Sequence, residues 1–114
     1  MNHTILTFEG KEFKAKFGLA VIGNTVKHLE LELQEFFQLF AKNLPLVAAP
    51  LMYNSLKKGT ADFNYTIDQV EDMIDEDGGL TSPQLVKFIE AFTASITTEQ
   101  KTELEGKKKA PVKK

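Results

Sequence analysis

The sequence predicts a mainly α-helical fold, a small bundle of about five helices with an N-terminal β-hairpin. Three observations carry this. Apolar and polar residues alternate around a glycine over residues 4–17. From Gly18 the apolar spacing changes from two residues to three and four. Helix starts (Pro45, Thr66, Ser82-Pro83) then recur with helix stops (Lys57-Lys58-Gly59, Gly78-Gly79). A spacing of two marks a strand with one buried face, and a spacing of three and four marks one face of a helix.

The hairpin arms are Thr4–Phe8 and Glu12–Phe17, joined by a turn around Gly10. Ile5 alternates with Thr4 and Thr7, and Phe13, Ala15 and Phe17 alternate with Lys14 and Lys16, giving one apolar face. Leu19, Ile22, Val26 and Leu29 form the first helical stripe. "LELEL" (Leu29–Leu33) reads as a junction. Leu33, Phe36, Phe37, Phe40 and Leu44 form the second stripe, which Lys42 and Asn43 close. "LPLVAAPLMYNSLKKG" is apolar almost all round, so it should be the most buried helix, with Pro50 kinking it or marking its true first turn.

Thr66 and Gln69 form a capping box ahead of Ile67, Val70 and Ile74. Ser82 as N-cap and Pro83 at the first helical position open a helix whose stripe is Leu85, Ile89, Phe92 and Ile96. Thr97 and Gln100 repeat the capping pattern and predict a separate short helix ending at Glu105. The expected organisation is one globular domain, 1–106, of which 18–105 is helical, with a disordered Lys-rich tail, 107–114.

The 114 residues contain no Cys, Arg or Trp. The missing Cys removes disulfides and thiolate chemistry, and the missing Arg removes the side chain best suited to clamp phosphate. Net charge is −2, but 5 of the 14 Lys lie in the last eight residues. Residues 1–106 therefore hold 9 Lys against 16 acids, a balance of −7. Such a body is a poor nucleic-acid surface. The start has no basic segment followed by an apolar run, and the longest apolar stretch, Leu44–Tyr53, contains two prolines. The expectation is a cytoplasmic protein with no membrane contact.

"GLAVIGNT" (Gly18–Thr25) differs from a phosphate-binding loop by Asn24 in place of lysine. Its preceding strand is half polar and its loop positions read as a helix face, so it is expected to hold no nucleotide, with Gly23 permitting close approach of a neighbouring element. Six acids lie within residues 68–77, but a calcium loop with Gly78 as its glycine would begin at Met73 and close at Gln84, neither of them a carboxylate. His3 and His28 have no partner at a metal-ligand or catalytic spacing. Neither a cofactor nor a metal nor an enzymatic role is expected.

Partner binding is the remaining chemistry. Acids near a helix C-terminus oppose its dipole, so Asp72, Asp75 and Asp77 are candidate contacts for a basic partner. Leu39, which lies off its stripe, and Phe63 and Tyr65 in the loop "GTADFNYT" are candidate exposed apolar anchors.

The succession of hairpin, "KFGLAVIGNTVKHLELELQEFFQLF", "PLVAAPLMYNSLKKG", "TIDQVEDMID" and "LTSPQLVKFIEAF" resembles the tail assembly chaperones of long-tailed bacteriophages and prophages. The matching positions are Phe17-Gly18, Leu19, Leu29, Leu33, Leu51, Tyr53, Leu56, Thr66 and Val70, within residues 8–96. The resemblance implies a chaperone that coats the tape measure protein, delivers it to the tail tube protein and is absent from the mature virion. It also leaves room for self-association along the hairpin edge. The alternative is a small adaptor or regulatory protein of a mobile element, binding a protein or nucleic acid through its basic tail.

Overall fold

The computed structural model describes the backbone of residues 3–109 and the side-chain environments of residues 3–96. Strands β1 (His3–Phe8) and β2 (Lys11–Lys16) pair antiparallel, from His3 opposite Lys16 to Phe8 opposite Lys11. Glu9 and Gly10 form the two-residue turn, with φ of 53° and 77°. Both positive values belong to the mirror-image turn whose twist suits a hairpin. This turn places Leu6 opposite Phe13, so Leu6 and Phe8 share the buried face of Phe13 and Ala15. The expected phase of β1 is therefore corrected by one residue: Ile5 points outward and is 38% exposed. A one-residue shift exchanges the two faces of a strand, and the turn length decides it.

Side chains cap part of both ribbon edges. Thr60 Oγ1 donates to the Lys14 carbonyl and accepts from its N–H, each at 2.9 Å. Ser55 Oγ donates to the Lys16 carbonyl at 2.7 Å, and the Thr7 N–H donates to Gln84 Oε1 at 2.8 Å. These bonds occupy backbone groups that an edge-to-edge partner would need.

Gly18, at φ 145°, opens α1 (Leu19–Leu29) directly after the hairpin. Val21, Ile22 and Thr25 are buried, with Val26 and Leu29 packed partly against the core. Leu19 lies about a quarter turn off that face and is 82% exposed, against the expected inward position. The buried Thr25 hydroxyl donates to the Val21 carbonyl and accepts from Asn54 Nδ2. "LELEL" is the junction between helices, turned by Glu30 at φ 56°. Helix α2 (Leu33–Lys42) starts with the Glu35 carboxylate accepting from the Glu32 N–H at 2.9 Å. Phe36 is buried, Phe37 and Phe40 are partly buried, and Leu33 is exposed.

A 3₁₀ turn at Leu44–Leu46 leads into α3 (Ala48–Gly59), so Pro50 sits in the true first turn. Helix α3 packs on β2, α1 and the next helix, α4 (Ile67–Glu76), and buries Leu51, Met52, Ser55 and Leu56 fully. The Thr66–Gln69 capping box holds both of its bonds, at 2.8 and 3.1 Å. After a 3₁₀ turn at Gly79–Thr81, Ser82 caps α5 (Pro83–Lys109) by accepting from the Leu85 N–H at 3.1 Å.

Helix α5 runs without a break through Thr97, so the separate last helix is corrected. A Thr–Gln pair starts a helix only where the preceding chain leaves helical geometry, and inside a helix both residues cost little. The same helix includes residues 107–109, the first part of the expected disordered tail. Residues 110–114 lie outside the described residues. Phe88, absent from the expected stripe, is fully buried and packs with Phe17 and Phe92, and Phe40 meets Phe92 at 5.2 Å. Among the described residues, no helix is long and apolar enough to cross a membrane.

Candidate functional site

"GLAVIGNT" does not form a loop. Leu19–Ile22 already belong to α1, and the Ile22 N–H donates to the Gly18 carbonyl at 3.2 Å. A phosphate cradle needs several backbone N–H groups turned outward from a loop. Gly23 has nothing within 4 Å of where a Cβ would stand, so the expected close approach does not occur there. Gly59 has that role: a Cβ on it would lie 2.5 Å from the Lys14 carbonyl oxygen.

The expected exposed aromatics are also corrected. Asp62, at φ 61°, turns the 60–66 loop back over the hairpin. Phe63 and Tyr65 are partly buried and pack edge-on against Phe13, at 6.2 and 5.6 Å, while Phe63 meets Tyr53 at 6.0 Å. The Lys11 ammonium donates to the Tyr65 hydroxyl at 3.3 Å and lies 5.6 Å from both the Phe13 and the Tyr65 ring. Leu39 is likewise half-buried against the core, lining a shallow hollow with Leu31, Glu35 and Lys42.

The acidic candidates separate by position on α4. Asp72 is exposed, and Asp75 stands on the rim of an apolar hollow described below. Asp77 is half-buried: its carboxylate accepts from the Ser82 hydroxyl and from the Gln84 N–H at 3.2 Å. Its charge thus meets the N-terminus of α5, where the helix dipole favours it. Glu76 lies beside Glu9 of the hairpin turn. The Glu9 side chain, by hydrogen bond and by charge, raises the Glu76 carboxyl above its ordinary 4.5, with smaller contributions from desolvation and from Asp72. Among the described residues, no group of three His, Asp or Glu side chains is arranged to hold a metal ion.

A hollow of about 310 Å³ opens where the start of α3, the second half of α4 and the start of α5 converge. Its floor is Ala48, Ala49, Ile74 and Leu85, all nearly buried. Leu80 stands on its edge and is 65% exposed. Glu71 and Asp75 flank it from α4. An apolar floor, a protruding leucine and two carboxylates match an amphipathic segment with basic residues beside its apolar face.

Of the candidates from sequence, only Asp75 belongs to this hollow. Leu80 is the signal that was missed, an apolar residue outside any stripe and flanked by the turn residues Gly79 and Thr81.

A second, larger hollow of about 740 Å³ lies between α1, the end of α3 and the start of α4. Lys27, His28, Lys57, Tyr53 and Asn54 line it, with Asp68 as its acid. No family model, curated protein or solved structure matches this chain.

Proposed function

We propose that this chain is a non-enzymatic tail assembly chaperone that works in the host cytoplasm and holds a segment of the tape measure protein for assembly with the tail tube protein. The observation that supports the reading is the hollow at Ala48, Ala49, Ile74 and Leu85, with Leu80 exposed on its edge. Exposed leucines also occur elsewhere on the chain, Leu19 among them, but Leu80 adjoins an apolar floor, and floor and edge together offer a surface for an apolar client. The acidic rim selects basic flanks on the client, and the negative body lends solubility to a complex with an aggregation-prone chain.

The test is co-expression with a tape measure fragment. The wild-type chain should keep the fragment soluble and co-purify with it. Leu80→Asp should fold as the wild type does, because this side chain is mostly exposed, and should weaken fragment binding by at least about tenfold. A fragment that stays insoluble and unbound beside the wild-type chain would sink the chaperone reading.

A further inference from the structure

Both hollows are lined by the same helix pair, α3 and α4. On α3, Ala49 lines the apolar hollow and Tyr53 and Lys57 line the polar one. These residues are spaced by four, so they share one helix face. On α4, Asp75 and Glu71 border the first hollow and Asp68 the second, again at steps of four and three. The seam between α3 and α4 therefore changes character along its length. Its apolar end carries carboxylates. Its far end carries the Lys27 and Lys57 ammoniums, with His28 beside them. Lys57 lies 5.7 Å from the Tyr53 ring, and Asn54 is fixed by donating to Thr25 Oγ1 and to the Pro50 carbonyl. From Ala49 to Lys57 the helix rises about 12 Å, on the order of two turns of a docked helix.

We infer that the α3–α4 seam is a single track for a charge-polarised amphipathic helix, with apolar and basic residues at the Leu80 end and carboxylates at the Lys27–Lys57 end. This rests on the apolar hollow being the client site and adds the direction in which the client lies. Opposite charges at the two ends of the track make one orientation attractive and the reverse repulsive, which is how charge sets register more than it sets affinity. Nucleic acid fits the cationic end less well. A phosphate chain leaving Lys57 along the seam would meet Asp68, Glu71 and Asp75 in turn.

Fluorescence anisotropy with three labelled peptides tests this. All share a Leu-rich amphipathic middle; one has Glu at one end and Lys at the other, one has Lys at both ends and one has Glu at both. The mixed peptide should bind the full chain most tightly. Lys27→Glu with Lys57→Glu, both exposed positions, should weaken the mixed peptide by about tenfold and make the all-Lys peptide the tighter ligand. Leu80→Asp should weaken all three.

If the double lysine variant binds the mixed peptide as the wild type does while Leu80→Asp does not, the track is refuted and the hollow reading survives. If Leu80→Asp changes nothing, or no peptide binds, the hollow reading fails and the track with it. Binding of a labelled oligothymidylate that the lysine substitutions abolish would assign the cationic end to nucleic acid and overturn the proposal.

Discussion

A methyl group on Gly59 would meet the Lys14 carbonyl oxygen at 2.5 Å and the Lys16 nitrogen at 3.0 Å. Both are backbone atoms of β2, so neither can rotate away. Gly59→Ala should therefore push α3 off the hairpin and cost about 1–3 kcal/mol. Gly23→Ala has open space around the new carbon and a helical backbone that favours alanine, so it should gain about 0.5–1 kcal/mol. Urea unfolding of the two variants checks the pair; equal effects would show that the α3–β2 contact is looser than described. The sequence drew attention to Gly23 because it is the second glycine of "GLAVIGNT". Gly59 instead reads as a helix stop, since what crowds it lies more than forty residues earlier in the chain. Tightness at a glycine is a tertiary fact with no local signature.

At the scale of elements, capping and spacing were legible because they are local. Thr66–Gln69 and Ser82-Pro83 open helices as their residue types require. What crosses between elements was not legible, and the meeting of Glu76 on α4 with Glu9 on the hairpin turn is an example. For a carboxyl raised on folding, the stabilising contribution is fully present below the unfolded value and is lost as pH rises through the folded one. As pH rises through the folded value, Glu76 loses the hydrogen bond to the Glu9 side chain and its charge is repelled by Glu9, with Asp72 adding to the effect. Glu76→Gln keeps a donor for Glu9 and removes the charge. Its melting temperature should exceed that of the wild type at about pH 7, and the difference should shrink toward about pH 4. A difference that stays constant with pH would mean that the two side chains do not meet in solution.

At the scale of the whole molecule, the fold class followed from periodicity, but the hollow did not. Its floor and rim come from three helices and the 3₁₀ turn that carries Leu80, and each contributor looks ordinary in its own stretch. Ala48 and Ala49 read as parts of a buried helix, and Leu80 stands outside any stripe, between Gly79 and Thr81. Only the packing of α3 against β2, α1 and α4 fixes the distance between them. Because α3 is held on three sides, the hollow is built before any client arrives, and filling it should not disturb the core. Ala49 is nearly buried, yet it is among the residues that line the hollow of about 310 Å³. In Ala49→Leu the added atoms can enter that space, so the cost should stay below the 1–3 kcal/mol typical of overpacking a closed core. The same atoms occupy the volume that an apolar client side chain would take. Ala49→Leu should thus melt close to the wild type and bind the tape measure fragment or the mixed-charge peptide at least about tenfold more weakly. A filled variant that binds as the wild type does would move the client site elsewhere on the molecule. A variant that melts far lower would mean that Ala49 packs against a closed core rather than beside an open hollow.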